Sequence, residues 1–385
     1  MAKRKVFLSY PEITRDDRWI IDKVLYSKHL ACGPYIEAFE KIVQNWICKK
    51  YVIAFNSGTS ALATILKAID VKDKEVIIPA FTFIATGNAV LLAGAVPVIV
   101  DITEDNLSID VELIEKAITC HTKVIIPVCV FGMPCGVQKI KQMLTRINRT
   151  DIKIVEDSCE AVGTGDTGAG DAMVFSFYPN KQVIGLEGGV VCTDDDALAE
   201  FCQRYRNHGR LKTEDSDRVG DNLRMTEVGA ALGYSQFSRL KKIVEIRRNL
   251  ALAYYGKIKF KFPAYFSSPE VIDSVSYFSY PMYVKEIKAV DIIKEAKNEY
   301  GVECGHYFKP LNQLKHFKEL AEVYGLKNSC PVADRIYDCI INLPFHHKIG
   351  AKGAEYVIES LRKSFTRLMR TKNELAEDAQ RAARF

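Results

Sequence analysis

Between residues 51 and 195, short β-rich runs that are apolar on both faces alternate with stretches of helical period, and few folds accommodate that alternation. Tyr51–Phe55, Glu75–Ile78, Val96–Ile102, Lys123–Val130, Lys153–Glu156, Ala172–Phe177 and Gly189–Thr193 read as strands. A strand without a polar face needs a covering layer on each side, which is the signature of a largely parallel sheet between helices. Leu62, Ile65, Leu66 and Ile69 repeat at three and four residues, giving one apolar face of a helix that should start at Ser57. Phe83–Ala93, Val111–Ile118 and Gln138–Ile147 supply further crossovers. The expected fold class is α/β: a three-layer αβα sandwich with a mostly parallel sheet, followed by a smaller C-terminal α+β domain.

Beyond residue 195 the texture changes. Ala197–Tyr205 reads as a helix, and residues 207–222 form a polar stretch without periodicity, a length that inside a compact domain usually marks a lid or a binding loop. Thr226–Arg248, extended to Tyr255, reads as one or more long helices. A domain boundary is placed within it, near residue 245: a large domain over 1–245 including the N-terminal segment, and a small one over 246–385. The second domain shows strand-like Val275–Val284 and Ile340–Leu343, helices over 286–300 and Glu355–Arg367, and a charged, alanine-rich tail, Thr371–Phe385, that reads as a frayed helix.

The net charge of +5 on 385 residues is spread in mixed sign, with neither a basic stripe nor interleaved aromatics, which argues against a nucleic-acid binder. Eleven cysteines, an odd number with no Cys-x-x-Cys pair, give no zinc-like spacing, and no metal site is expected. The absence of a signal-like segment and of an 18-residue apolar run points to a reducing, cytoplasmic setting without membrane insertion.

Three features could carry chemistry. Lys181 follows a strand end and the turn Tyr178-Pro179-Asn180, so its amine rises at the carboxyl edge of the sheet, where open α/β folds bind ligands. An exposed loop lysine would look the same. Asn56-Ser57-Gly58-Thr59 supplies a strand end, a permissive glycine and a helix start, the arrangement that cradles phosphate, though many tight strand–helix turns share it. Asp157 closes the run Lys153-Ile-Val-Glu-Asp; it is either a solvated strand cap or a carboxylate that keeps a proton on a pyridine nitrogen.

Together these segments resemble the DegT/DnrJ/EryC1/StrS sugar aminotransferases, pyridoxal-phosphate enzymes of fold type I with an aspartate-aminotransferase-like architecture. The resemblance runs in order through Gly33-Pro34, residues 56–62, residues 79–86, Glu156-Asp157-Ser158-Cys159-Glu160-Ala161, residues 176–181, Gly185-Leu186-Glu187-Gly188-Gly189, Arg206-Asn207-His208-Gly209 and Asn222-Leu223-Arg224-Met225. Cys330-Pro331-Val332-Ala333-Asp334 and Leu343-Pro344 extend it toward the C-terminus.

The resemblance implies that Lys181 forms the Schiff base and shuttles the proton, that Asp157 binds the pyridine nitrogen, and that Phe83 lies on one ring face. It places Ser57, Gly58, Thr59 and Ser176 on the phosphate, and Asn222 on the phosphate of a neighbouring subunit, which implies a homodimer. By local pattern alone, Phe83 reads as plain core, the usual fate of a phenylalanine opening a helix beneath a sheet, and Ser176 is equally a satisfied core hydroxyl. His208 and Arg210 could meet a diphosphate or simply be solvated. Arg224, His306, Tyr307 and Lys309 are candidate contacts for the acceptor, with a domain-interface hydrogen bond as the alternative for His306.

Glu160 departs from the glutamine or histidine common beside the cofactor's phenolic oxygen; a carboxylate there must be protonated or face elsewhere. Residues 184–187, Ile-Gly-Leu-Glu, replace a common Thr-Thr-Gly-Glu. The implied reaction takes the amine of L-glutamate to a nucleotide-linked 4-keto-6-deoxyhexose, with keto-inositol or 3-keto sugar amination as alternatives and a non-catalytic regulatory descendant as the contrasting class.

Overall fold

The computed structural model describes residues 5–382 apart from 166, 211–214, 217, 262 and 263. Parts of the 207–222 stretch and the end of the 371–385 tail therefore lie outside the described residues.

Seven strands form the main sheet: β1 (Tyr51–Phe55), β2 (Glu75–Pro79), β3 (Val96–Val100), β4 (Thr122–Ile125), β5 (Lys153–Asp157), β6 (Ala172–Ser176) and β7 (Gly189–Thr193). Their spatial order is β1-β7-β6-β5-β4-β2-β3. Only β7 runs against its neighbours, pairing antiparallel with both β1 and β6, while β6, β5, β4, β2 and β3 pair in parallel. The near-continuous burial of these strands has the cause inferred from their composition: one apolar cluster packs the helices Gly58–Ile69 and Ile84–Leu92 on one face, and others cover the opposite face. Fully buried rings such as Phe39, Phe55 and Phe175 each contribute about 1.5–3 kcal/mol by leaving water.

Four strand expectations shorten: Val96–Ile102 ends at Val100, Ala172–Phe177 ends at Ser176, and two others lose more. The one over Lys123–Val130 stops at Ile125, because Val130–Gly132 turns as a 3-10 helix with Phe131 at φ 55°. In the second sheet, β8 (Phe266–Ser267), β9 (Tyr280–Val284) and β10 (Ile340–Leu343) pair antiparallel in the order β10-β9-β8. The expected strand Val275–Val284 begins only at Tyr280, since Tyr277 sits at φ 52° and Arg247 captures the carbonyls of Tyr277 and Phe278 at 2.7 and 2.8 Å.

Long-range polar contacts fix two N-terminal helices, Arg15–Leu25 and Pro34–Ile47. Gly33 at the start of the second offers no side-chain cap; the buried Glu227 supplies it from across the chain, accepting from the amides of Tyr35 and Ile36 at 2.6 and 3.3 Å. Asp17, fully buried, closes a capping box with Thr14 and accepts from Ser235, Gln236 and Arg239.

The expected boundary near 245 falls inside one helix, Leu240–Lys261. Leu240 and Val244 pack with the main sheet, whereas Leu250, Ala251, Tyr254 and Ile258 pack with the second. The N-terminal strand-like residues also join the second unit: Val6 bridges Val302, and Phe345 donates its amide to Leu8. The helix expected over Glu355–Arg367 and the tail are a single helix, Gly350–Ala382. Among the described residues no helix is long and apolar enough to cross a membrane.

Candidate active site

A cleft of about 500 Å³ opens at the carboxyl edge of the main sheet, between it and the segment leading into β9 and residues 307–308. Its floor is built by backbone. β1 ends into Asn56, and Ser57 turns extended to cap the helix Gly58–Ile69, accepting from the Ser60 amide at 3.1 Å. The amides of the first helical turn have no carbonyl above them, so those of Gly58 and Thr59 are donors available to an anion. Two glycines make the turn possible. A Cβ on Gly58 would lie 2.9 Å from Cys159 Sγ and 3.1 Å from Ser176 Cβ, and one on Gly189 would lie 2.5 Å from the Gly58 nitrogen. Ser57, Thr59 and Ser176 line the same end of the cleft.

At the tip of β5, Asp157 is 6% exposed. Thr86 Oγ1 donates to its Oδ2 at 2.7 Å and the Cys159 amide to its Oδ1 at 3.2 Å, so the carboxylate is aimed by two donors from different elements. Thr82 stands 2.8 Å behind Thr86. Burial and the Asp157 charge push the Cys159 thiol well above its ordinary range, which keeps it a neutral wall.

Lys181 enters from the turn after β6, where its amide donates to Tyr178 O at 2.9 Å. Its Nζ lies 3.2 Å from Glu160 Oε1 and 4.3 Å from the centre of the Phe278 ring. Only 12% of the lysine side chain and 9% of the glutamate's are exposed, so the amine faces the cleft rather than bulk water. Glu160 Oε2 accepts from the Phe131 amide at 2.9 Å. Burial pushes the Glu160 carboxyl up, against the pull of Lys181. The aromatic walls are Phe83, 58% exposed, Phe308 with its ring 6.0 Å from that of Phe83, Phe278 and Tyr307. The Tyr307 phenol is raised to about 12 by burial and by Glu160.

Of the residues singled out in the sequence, Ser57, Gly58, Thr59, Phe83, Asp157, Glu160, Ser176, Lys181 and Tyr307 meet in this cleft. Glu160 engages the lysine itself. The others lie elsewhere. His306 gives its Nε2 to a 2.7 Å contact with Tyr337 O and stacks on that ring, a contact within the 246–385 unit, so it lies neither in the cleft lining nor across the expected domain boundary. Lys309 is exposed outside the lining. Asn207 and Asn222 bridge the neck of the polar loop, His208 at φ 59° donates its amide to Asp221, and Arg224 Nη1 holds Asn207 Oδ1 at 2.7 Å. Arg210 follows in the same loop, with its amide on Asn207 O. Asn222, His208, Arg210 and Arg224 therefore stand on one loop neck beside the cleft and not in its wall.

The sequence reading missed Thr86 and Thr82 as supports of Asp157, and Phe278 and Phe308 as walls. Thr82 and Thr86 sit four residues apart at a helix start, a spacing that could have flagged them; the two phenylalanines carry no local signal. It also missed a buried trio, Cys129, Cys135 and Glu156, whose ligand atoms lie within 4.8 Å of one another. Glu156 already accepts from the amides of Gly168 and Gly170, at 3.0 and 2.5 Å.

An anion-binding helix start, a buried carboxylate, an amine and aromatic walls in one cleft form a donor set that fits a phosphorylated pyridine aldehyde. The model of the DegT/DnrJ/EryC1/StrS aminotransferase family matches residues 11–362. The chain belongs to that family. The 3-oxo-glucose-6-phosphate:glutamate aminotransferase of Bacillus subtilis is 31% identical over 350 residues, covering 89% of this chain and 78% of its own. The UDP-4-amino-4,6-dideoxy-N-acetyl-beta-L-altrosamine transaminase of Helicobacter pylori is 30% identical over 373 residues, covering 93% and 97%. Among solved structures, NtdA of Bacillus subtilis with bound cofactor PMP superposes with a TM-score of 0.83 at 29% identity, covering 95% of this chain and 87% of that one. Family membership and fold make the chain a transaminase-type enzyme with a fold-type-I architecture.

Proposed function

We propose that the enzyme uses pyridoxal phosphate to move the amino group of L-glutamate to C4 of a nucleotide-linked 4-keto-6-deoxyhexose. The observation that carries this reading is the convergence of Lys181, Asp157 and the Ser57–Thr59 helix start on one cleft. Pyridoxal phosphate supplies, when bound, an electron-withdrawing ring that accepts and releases an amine.

The chain's own residues do the rest. The Gly58 and Thr59 amides, with Ser57 and Ser176, hold phosphate at the helix start. Asp157, oriented by Thr86 and Cys159, presents a fixed negative charge that keeps a ring nitrogen protonated. The aromatic walls Phe83, Phe278 and Phe308 exclude water and set the plane of a flat ligand. Lys181 bears the amine that takes a proton from the donor's α-carbon and returns one to the acceptor carbon, a role its four-carbon tether allows.

The relatives support the substrate class. One is named for glutamate and a 3-oxo sugar phosphate, another for a UDP-linked 4-amino-4,6-dideoxy sugar. The first favours a second reading, amination at C3. The exposure of Phe83 and Tyr178 in the cleft lining, at 58 and 48%, supports closure by a second copy of the chain, with Asn222 reaching the partner's phosphate.

The test is in two halves. Glutamate added to the cofactor-loaded enzyme should convert the visible band to the pyridoxamine form with release of 2-oxoglutarate. The product should then aminate a 4-keto nucleotide sugar in preference to 3-keto sugars and keto-inositols. Failure of the first half overturns the donor; preference for a 3-keto sugar overturns the C4 assignment.

A further inference from the structure

Glu160 is the unusual group in this site. It is 7% exposed, one oxygen is fixed by the Phe131 amide at 2.9 Å, and the other faces Lys181 Nζ at 3.2 Å. Its backbone is fixed as well, since Gln182 Nε2 donates to the Glu160 carbonyl. The titratable groups facing it come from three parts of the chain: Asp157 at the tip of β5 and Cys159 in the turn after it, Lys181 from the turn after β6, and Tyr307 beside Phe308. Burial keeps the thiol and the phenol neutral. The charged neighbours are then one carboxylate, Asp157, and one ammonium, Lys181. Burial and Asp157 push the Glu160 carboxyl up, while Lys181 and the Phe131 amide hold it down.

We propose that Glu160 is the proton acceptor for Lys181: it pairs with the ammonium in the free site and takes the proton when the lysine nitrogen bonds to an aldehyde carbon. The inference rests on the reading of Lys181 as the cofactor-binding amine. Atoms and charge balance within the pair. The ammonium carries three hydrogens; two leave with the aldehyde oxygen as water and the third passes to Glu160. The carbonyl bond breaks, a carbon–nitrogen double bond forms, and ammonium and carboxylate both become neutral. A buried carboxylate beside Asp157 has no other cation facing it among the described residues, so leaving it charged would carry the full cost of an unpaired buried ion. The same transfer resolves the repulsion that a charged Glu160 would exert on a phenolate, because a protonated carboxyl donates a hydrogen bond instead.

The direct test is infrared difference spectroscopy on the full chain, freed of cofactor and then mixed with pyridoxal phosphate, with the near-ultraviolet band of the neutral adduct and the visible band of the nitrogen-protonated adduct recorded in parallel. A protonated-carboxyl band should grow with the near-ultraviolet band of the neutral adduct, shift down when glutamate is carbon-13 labelled, and stay put when aspartate is labelled. In Glu160→Gln, which keeps an acceptor for the Phe131 amide but not for the proton, the visible band should form instead, without the carboxyl band. The labelling comparison uses the unaltered chain and stands even where the variant folds poorly. Either adduct band without a glutamate-derived carboxyl band in the unaltered chain overturns the proposal, as does a carboxyl band that persists in Glu160→Gln. Absence of both adduct bands would overturn the assignment of Lys181 itself, a different failure.

Discussion

The two ends of the cleft are built differently. The end at Ser57–Thr59, Asp157 and Lys181 is made from strand ends and a helix start of the main sheet, each polar group held by a donor or acceptor a few ångströms away. The side nearest the second sheet is made from aromatic edges, Phe278, Tyr307 and Phe308, and four of the polar residues singled out for phosphate or substrate contact stand outside the wall at the neck of the polar loop. A cofactor common to a family can be held by a rigid sheet edge; selectivity for one sugar can vary on loops without disturbing it.

The largest effect should come from the rigid end. Lys181→Ala should remove the visible adduct and lower transamination by about 1,000-fold or more, since the acid–base group and the tether are lost together. Asp157→Asn should cost about 100-fold in turnover, with the adduct still forming, because the charge on the ring side is gone while the amine remains. Thr86→Val, which strips one 2.7 Å donor from Asp157, should cost about 1.5–3 kcal/mol, read as a roughly tenfold or greater loss in turnover. Gly58→Ala tests the cradle: the new Cβ meets Cys159 Sγ at 2.9 Å, and overpacking of about 1–3 kcal/mol should appear as weaker cofactor retention on dialysis.

The loop side should respond differently. Arg224→Ala should raise KM for the sugar and leave cofactor affinity and the glutamate half-reaction unchanged; a lost cofactor would blur the distinction between the two ends.

The smallest effect concerns the second unit, where His346 Nε2 meets Phe7 O and burial lowers its pKa to about 4. A base whose folded pKa lies below its unfolded value near 6.5 binds more protons unfolded, so stability falls as pH drops from 6.5 toward 4. His346→Gln should flatten that acid limb of a melting-temperature profile.

The main sheet was legible because both-face apolar runs admit few arrangements, and each of the seven runs became a strand. Lys181, Asp157 and the Ser57 cap were legible because each sits at the end of such a run. The N-terminal helices were overlooked, although Thr14 begins a capping box, and Glu227 as the cap for Tyr35 lies 192 residues away. His306 could not be read at all: its partner is a carbonyl of Tyr337, contributed by a helix whose packing no local pattern reveals. Phe278 and Phe308 reach the cleft only because Arg247 and the second sheet bring them there.

The most direct measurement is borohydride reduction of the enzyme reconstituted with pyridoxal phosphate, followed by peptide mass spectrometry. A single phosphopyridoxyl group on Lys181, with loss of the visible band, is the predicted result. A reduced adduct on a different lysine, or none, would contradict the placement of the reactive amine at this sheet edge.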